Sequence, residues 1–143
     1  MVNHLAGPAL ADEAGSPEYL NSTEVFPSNL PFSEAVRVGN TLYLSGQIGI
    51  VPGTMKLVPG GLEAEARQTM ENIETSLQAH GYNMNDLVKC TIMLADISRW
   101  AAFNEIYKTW FNEQFPARSA FGANGLALGA QVEIDCIAAR PVD

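Results

Sequence analysis

Across residues 1–30, apolar and polar side chains follow neither a period of two nor one of 3.6. Gly7, Pro8, Gly15, Ser16, Pro17, Asn21, Ser22, Pro27, Ser28 and Asn29 break the chain repeatedly. This stretch reads as an irregular N-terminal arm, and residues 31–143 as one folded domain. From Phe32 the pattern changes. FSEAVRV and TLYLSGQIGI are rich in β-formers and are separated by Gly39-Asn40, a pair that tolerates positive φ, so a tight hairpin is predicted. VPGTMKLVPGG then reads as an extended surface loop. In LEAEARQTMENIETSLQAHG, Leu62, Ala66, Met70, Ile73 and Leu77 recur at spacings of four, four, three and four, the apolar stripe of an amphipathic helix that Gly81 ends. LVKCTIML is rich in apolar and β-branched residues and reads as a buried strand. Asp96 or Ser98 can cap a second helix, in which Trp100, Phe103, Tyr107 and Trp110 share a face and which Pro116 stops. A strand from about Arg118, a loop around residues 124–128 and a returning strand to Ala139 complete the chain.

The predicted order is strand, strand, helix, strand, helix, strand, strand. Strand-helix-strand units place both helices on one face of a single mixed sheet, an α+β architecture. The other face would be apolar and open, and self-association is the economical way to cover it. In GAQVEIDCIAA, residues Ala130, Val132, Ile134, Cys136 and Ala138 fall on one strand face and Gln131, Glu133 and Asp135 on the other.

Composition narrows the function. A chain of 143 residues, 47% hydrophobic and 17% charged, suits one domain with a core of its own. Eight basic against sixteen acidic residues give a net charge of -8, and no basic run is available to follow a phosphate backbone, so nucleic acid is not an expected partner. No stretch approaches the roughly 18 consecutive apolar residues of a membrane span. Cys90 and Cys136 sit in apolar runs without ligand-spaced neighbours, and read as buried free thiols of a reduced, cytoplasmic compartment. Ala9-Leu10-Ala11 faintly resembles a signal-peptidase site, but no basic segment precedes it. His4 and His80 supply too little material for a metal site or a histidine triad, and phosphate-binding glycine loops and nucleophile elbows are lacking. Ser45-Gly46 at a strand end is a turn more often than a nucleophile. Trp100, Tyr107 and Trp110 read as core or interface.

Arg118 is the singular cation, set in the small and apolar stretch FPARSAFGANG. If the last two strands pair antiparallel about Leu126, Arg118 comes near Glu133 and Ile134. Two readings follow. One is an inert ion pair; the other presents the planar guanidinium to a ligand carboxylate while Glu133 handles a water.

In their order and spacing, LYLSGQIGI, EARQTMENI, FNEIYKTWF, FPARSAF and VEIDCIAA resemble the RidA family, also called YjgF/YER057c/UK114. The resemblance spans about residues 31–140, and its most specific part is P-A-R-S at Pro116 to Ser119, with Glu133 fifteen residues beyond the arginine. It implies a chorismate-mutase-like α+β fold assembled as a homotrimer, sheets facing inward and ligand clefts between subunits. It also implies hydrolysis of reactive enamines and imines, such as 2-iminobutanoate and 2-iminopropanoate, to 2-oxo acids and ammonia without metal or cofactor. Carried over by position, Arg118 is the carboxylate-binding arginine and Glu133 the water-handling acid. Ser45, Gly46, Asn104 and the backbone of Ala120 line the cleft, and Phe32 stands where the family has a tyrosine. The alternative is a non-catalytic small-carboxylate-binding or regulatory module of the same fold, which the missing hydroxyl at Phe32 favours.

Overall fold

The computed structural model describes residues 15–141; His4 and Ala9-Leu10-Ala11 lie outside them. The elements are β1 (Glu18–Leu20), β2 (Ala35–Val38), β3 (Thr41–Leu44), α1 (Gly61–Ala79), β4 (Leu87–Leu94), α2 (Trp100–Tyr107), β5 (Ala117–Gly122) and β6 (Val132–Ala139). The six strands form one sheet in the order β1-β2-β3-β6-β4-β5, antiparallel except for the parallel β4–β5 pair. Among the described residues, no helix is long and apolar enough to cross a membrane.

Local chemistry explains these elements. Val38 pairs with Thr41 across the two-residue turn, where Gly39 takes φ 59°. All five residues of the predicted helical stripe are buried in α1. The helix ends where Gly81 enters the left-handed region at φ 86° and the Tyr82 amide donates back to the Leu77 carbonyl at 2.9 Å. In β6 the alternation is strict: Val132, Ile134, Cys136 and Ala138 are buried, and the residues between them are half-buried. Those four meet Cys90, Ile92 and Leu94 of β4, with Leu62, Ala66, Met70, Ile73 and Leu77 of α1 and Phe103, Ile106 and Tyr107 of α2 above them. Both helices thus cover one sheet face, and the other carries Tyr43 and Phe121, each about half exposed.

Three expectations change. The last two strands are not a hairpin: β5 lies parallel to β4 at the sheet edge, and β6 runs between β3 and β4. The reason lies in the side chains. β6 and β4 have alternating apolar faces and pair at seven positions, whereas ARSAFG has no fully buried residue and suits an edge. Second, Cys90 and Cys136 are directly opposed in the β4–β6 register, Cα atoms 4.1 Å apart, and form a disulfide. With no free thiols, the ground for a reduced compartment falls. Third, the arm is partly ordered, because Glu18–Leu20 pair antiparallel with β2, and Val25 and Phe26 are buried in a second small cluster with Ile48, Ile50 and Ala130.

Candidate functional site

Arg118 does not sit beside Glu133's strand but two strands away: its Cα partner on β4 is Cys90, whose partner on β6 is Cys136. Two strand spacings of about 4.8 Å separate the two residues laterally, and three residues of about 3.4 Å along β6 separate them lengthwise. They also point oppositely. Arg118 shares the helix-covered face with Cys90, while Glu133 alternates with the buried Val132 and Ile134 and faces the other way. The expected proximity within one chain is therefore absent, because it rested on the hairpin.

The inert ion pair is absent as well. Among the described residues, no carboxylate lies within salt-bridge distance of Arg118. Its guanidinium is instead held against aromatic faces, 4.8 Å from the Tyr107 ring centroid and 5.8 Å from that of Trp100. Seven residues apart on α2, these two rings share a helix face. Burial holds the Tyr107 phenol above its ordinary pKa against the opposing pull of Arg118, so the ring beneath the cation stays neutral. A recess of 240 Å³ opens here, lined by Asn104, Tyr107, Lys108, Phe115, Pro116 and Arg118. The Asn104 Oδ1 is buried without a partner among the described residues. Ala120 lies two residues along β5 on the same face, half-buried, its backbone opposite Ile92.

Glu133 belongs to a second recess, of 260 Å³, lined by Phe26, Phe32, Ser45, Gly46, Ile48, Met55, Ala127 and Glu133. Gly46 makes room for the acid: a Cβ there would lie 2.5 Å from Glu133 Oε2. Ser45 donates its hydroxyl to the Ser33 carbonyl and its amide to the Glu34 carbonyl, which fixes the strand end. Phe32 meets Phe26 edge-to-face at 5.2 Å. The Glu133 carboxyl is pushed above its ordinary pKa, first by burial and then by the charge of Asp135.

The seven sequence-predicted positions thus divide into two groups, Arg118 with Asn104 and Ala120, and Glu133 with Ser45, Gly46 and Phe32. Sequence reasoning missed the aromatic support of Arg118, because Trp100 and Tyr107 at helical spacing read as ordinary core. It also missed Phe26 and Met55, which lie in loops without periodicity.

Fold and geometry define a class, the small α+β proteins with one half-covered mixed sheet and two polar-tipped recesses served by different strands. The chain belongs to a particular family of that class: a model described as Endoribonuclease L-PSP matches residues 23–140, a span that starts inside the stretch read as an arm. The chain is 44% identical over 110 residues to 2-iminobutanoate/2-iminopropanoate deaminase of Mus musculus, covering 77% of this chain and 82% of that protein. It superposes with a TM-score of 0.81 on the crystal structure of RidA from an Antarctic Psychrobacter, at 37% identity and covering 86% of this chain and 99% of that one. Escherichia coli TdcF with bound serine gives a TM-score of 0.80 at 28% identity, with 87% and 99% covered. The resemblance to RidA proteins and the single mixed sheet with its two helices stand.

Proposed function

We propose that the chain hydrolyses 2-imino acids to 2-oxo acids and ammonia, in clefts closed between copies of itself in a homotrimer. The observation that carries this reading is the split site. Arg118, free of any carboxylate within salt-bridge reach among the described residues, and the proton-accepting Glu133 cannot meet within one chain. A second copy seated on the open sheet face supplies the missing wall. The names of the relatives support the chemistry, and the serine bound by TdcF supports a site for a small 2-substituted carboxylate.

Each residue then has a task. Arg118 holds the substrate carboxylate with its two-pronged guanidinium, Asn104 and the Ala120 backbone border that end, and Ser45 and Gly46 border the imine. Glu133 takes a proton from a water whose oxygen attacks C2 and passes it to the imine nitrogen, giving a carbinolamine; it then carries the carbinolamine hydroxyl proton to the same nitrogen, which leaves as ammonia while the carbonyl forms. The imine carbon is already electrophilic, so positioning and modest proton transfer suffice. A net charge of -8 fits this small substrate better than a nucleic acid, whatever the family's description says. The disulfide belongs with an oxidising compartment. A non-catalytic carboxylate-binding module is the second reading, favoured by the phenyl ring of Phe32, which offers the Glu133 recess no hydroxyl.

The deciding experiment generates imine in place with an amino-acid oxidase and follows its disappearance. Acceleration over spontaneous hydrolysis is expected for several amino acids; none at all leaves only the binding module. The pH profile adds a second check. Glu133 works as a base when ionised, and burial and Asp135 both raise its pKa, so activity should fall as pH drops through that raised value. Asp135→Asn removes the smaller cause and should move this acid limb to lower pH; an unmoved limb would take Glu133 out of the rate-determining proton transfer.

A further inference from the structure

Outside the two recesses, the most connected polar cluster surrounds Glu34, whose residue is only 2% exposed. Its carboxylate accepts from His80 Nε2 at 2.6 Å, Ser76 Oγ at 2.8 Å, and both the amide and hydroxyl of Ser22 at 3.0 Å. Burial pushes the Glu34 carboxyl up, but the His80, Ser22 and Ser76 hydrogen bonds together outweigh it and hold the pKa below the ordinary value. The carboxylate is therefore ionised, and His80 must present a proton to it. Among the described residues, the other charged groups around the pair are Arg37 from β2, which reaches the His80 carbonyl at 3.4 Å and Glu18 of β1 at 3.6 Å, and Arg140, which holds the Gly81 carbonyl at 2.8 Å.

Two lines of bonds lead from this cluster to the Glu133 recess. Through the backbone, the Glu34 carbonyl accepts from the Ser45 amide at 3.0 Å, and the neighbouring Ser33 carbonyl accepts the Ser45 hydroxyl. Through side chains, Ser76 accepts from Gln47 Nε2 at 3.1 Å, and Gln47 exchanges both backbone bonds with Ile134, next to Glu133, at 2.8 and 2.9 Å. Gly46, against which the Glu133 carboxylate rests, lies between the two tethered residues.

We propose that Glu34 and His80 are positioning residues, a buried pair that fixes the Ser45-Gly46-Gln47 segment and through it the Glu133 carboxylate. The proposal rests on the deaminase reading for its catalytic consequence. An uncharged side chain cannot replace this carboxylate, because Glu34→Gln leaves one carbonyl oxygen to receive four donors and turns an NH₂ group toward the rest. His80→Phe removes the donor, whereas His80→Gln keeps one.

The test compares these variants at a temperature where circular dichroism shows all of them fully folded; should Glu34→Gln not fold, the two His80 variants carry it. Glu34→Gln and His80→Phe should lower kcat for imine hydrolysis by about ten- to a hundredfold with KM within about twofold, and His80→Gln should recover most of the loss. Wild-type kcat in both Glu34→Gln and His80→Phe, or a His80→Gln no better than His80→Phe, would overturn the proposal. An activity-independent reading comes from amide NMR. Removing either partner should shift the Ser45, Gly46 and Glu133 resonances, and shifts confined to residues 22, 76 and 80 would reduce the pair to a local brace. If the wild type hydrolyses no imine, the deaminase reading fails alone, and the amide shifts still decide whether the pair sets the segment.

Discussion

Arg118→Ala should lower kcat/KM for 2-imino acids by about one to two decades and leave the folded chain almost as stable as wild type. The first half follows from the bond that is lost. A charge-assisted two-pronged contact to a carboxylate is worth about 1.5–3 kcal/mol, and each 1.4 kcal/mol or so is a factor of ten. The second half follows from what Arg118 does within the chain. It is paired with no carboxylate among the described residues, and its stacking on Tyr107 and Trp100 is worth about 0.5–1 kcal/mol per ring at a half-exposed site. Arg118→Lys should not restore the rate, because an ammonium keeps the charge and loses the planar fork. Steady-state kinetics on oxidase-generated imine, with thermal unfolding alongside, measures both halves. Mixing sharpens the result. Chains carrying Arg118→Ala and chains carrying Glu133→Gln should each be nearly inactive, yet co-refolded in equal amounts they should recover activity in about a quarter of the clefts, since a symmetric assembly pairs an intact arginine of one copy with an intact glutamate of another. A site contained in one chain would recover nothing.

Sequence periodicity was enough for the elements that bury one clean face. Leu62 to Leu77 and Val132 to Ala138 are read correctly because a helix stripe and a strand alternation are local properties, decided within a dozen residues. Strand pairing is not local. Nothing between Arg118 and Ala139 reveals that β6 passes over its sequence neighbour to lie beside β3, and two misreadings have that one root. The hairpin placed Arg118 beside Glu133, and the unseen β4–β6 register concealed that Cys90 and Cys136, 46 residues apart, face each other. The identities of the candidate residues were legible through spacing and motif; their division into two recesses was legible only once the register was known. Glu34 and His80 left no pattern at all, since a buried pair 46 positions apart looks like a loop acid and a helix-end histidine. Phe32 is a case of a different kind, in which the missing hydroxyl is plain in the sequence while its consequence depends on Phe26, the neighbour that the fold supplies.

Gly46→Ala should cost about a hundredfold in kcat with little loss of stability, a combination that separates the placing of Glu133 from the holding of the fold. The added Cβ would sit 2.5 Å from Glu133 Oε2, 3.1 Å from its Cδ and 3.4 Å from its Cγ. All three atoms belong to the outer part of a flexible side chain, so the carboxylate can swing aside by rotamer change and the backbone need not move. The energetic cost to folding is therefore small. The cost to catalysis is not, because a displacement of about 1 Å of a group that must meet both water and substrate nitrogen can remove two decades of rate. Gly49→Ala is the matched contrast. There the new Cβ would meet the Glu65 backbone, 2.7 Å from its carbonyl oxygen and 2.8 Å from its Cα, and neither can rotate away. That change should destabilise the chain by about 1–3 kcal/mol, as overpacking does, and reduce activity only in proportion to the folded fraction. If Gly46→Ala instead lowers the unfolding temperature as Gly49→Ala does while the surviving folded protein keeps its kcat, Gly46 serves the strand end and Glu133 does not depend on it.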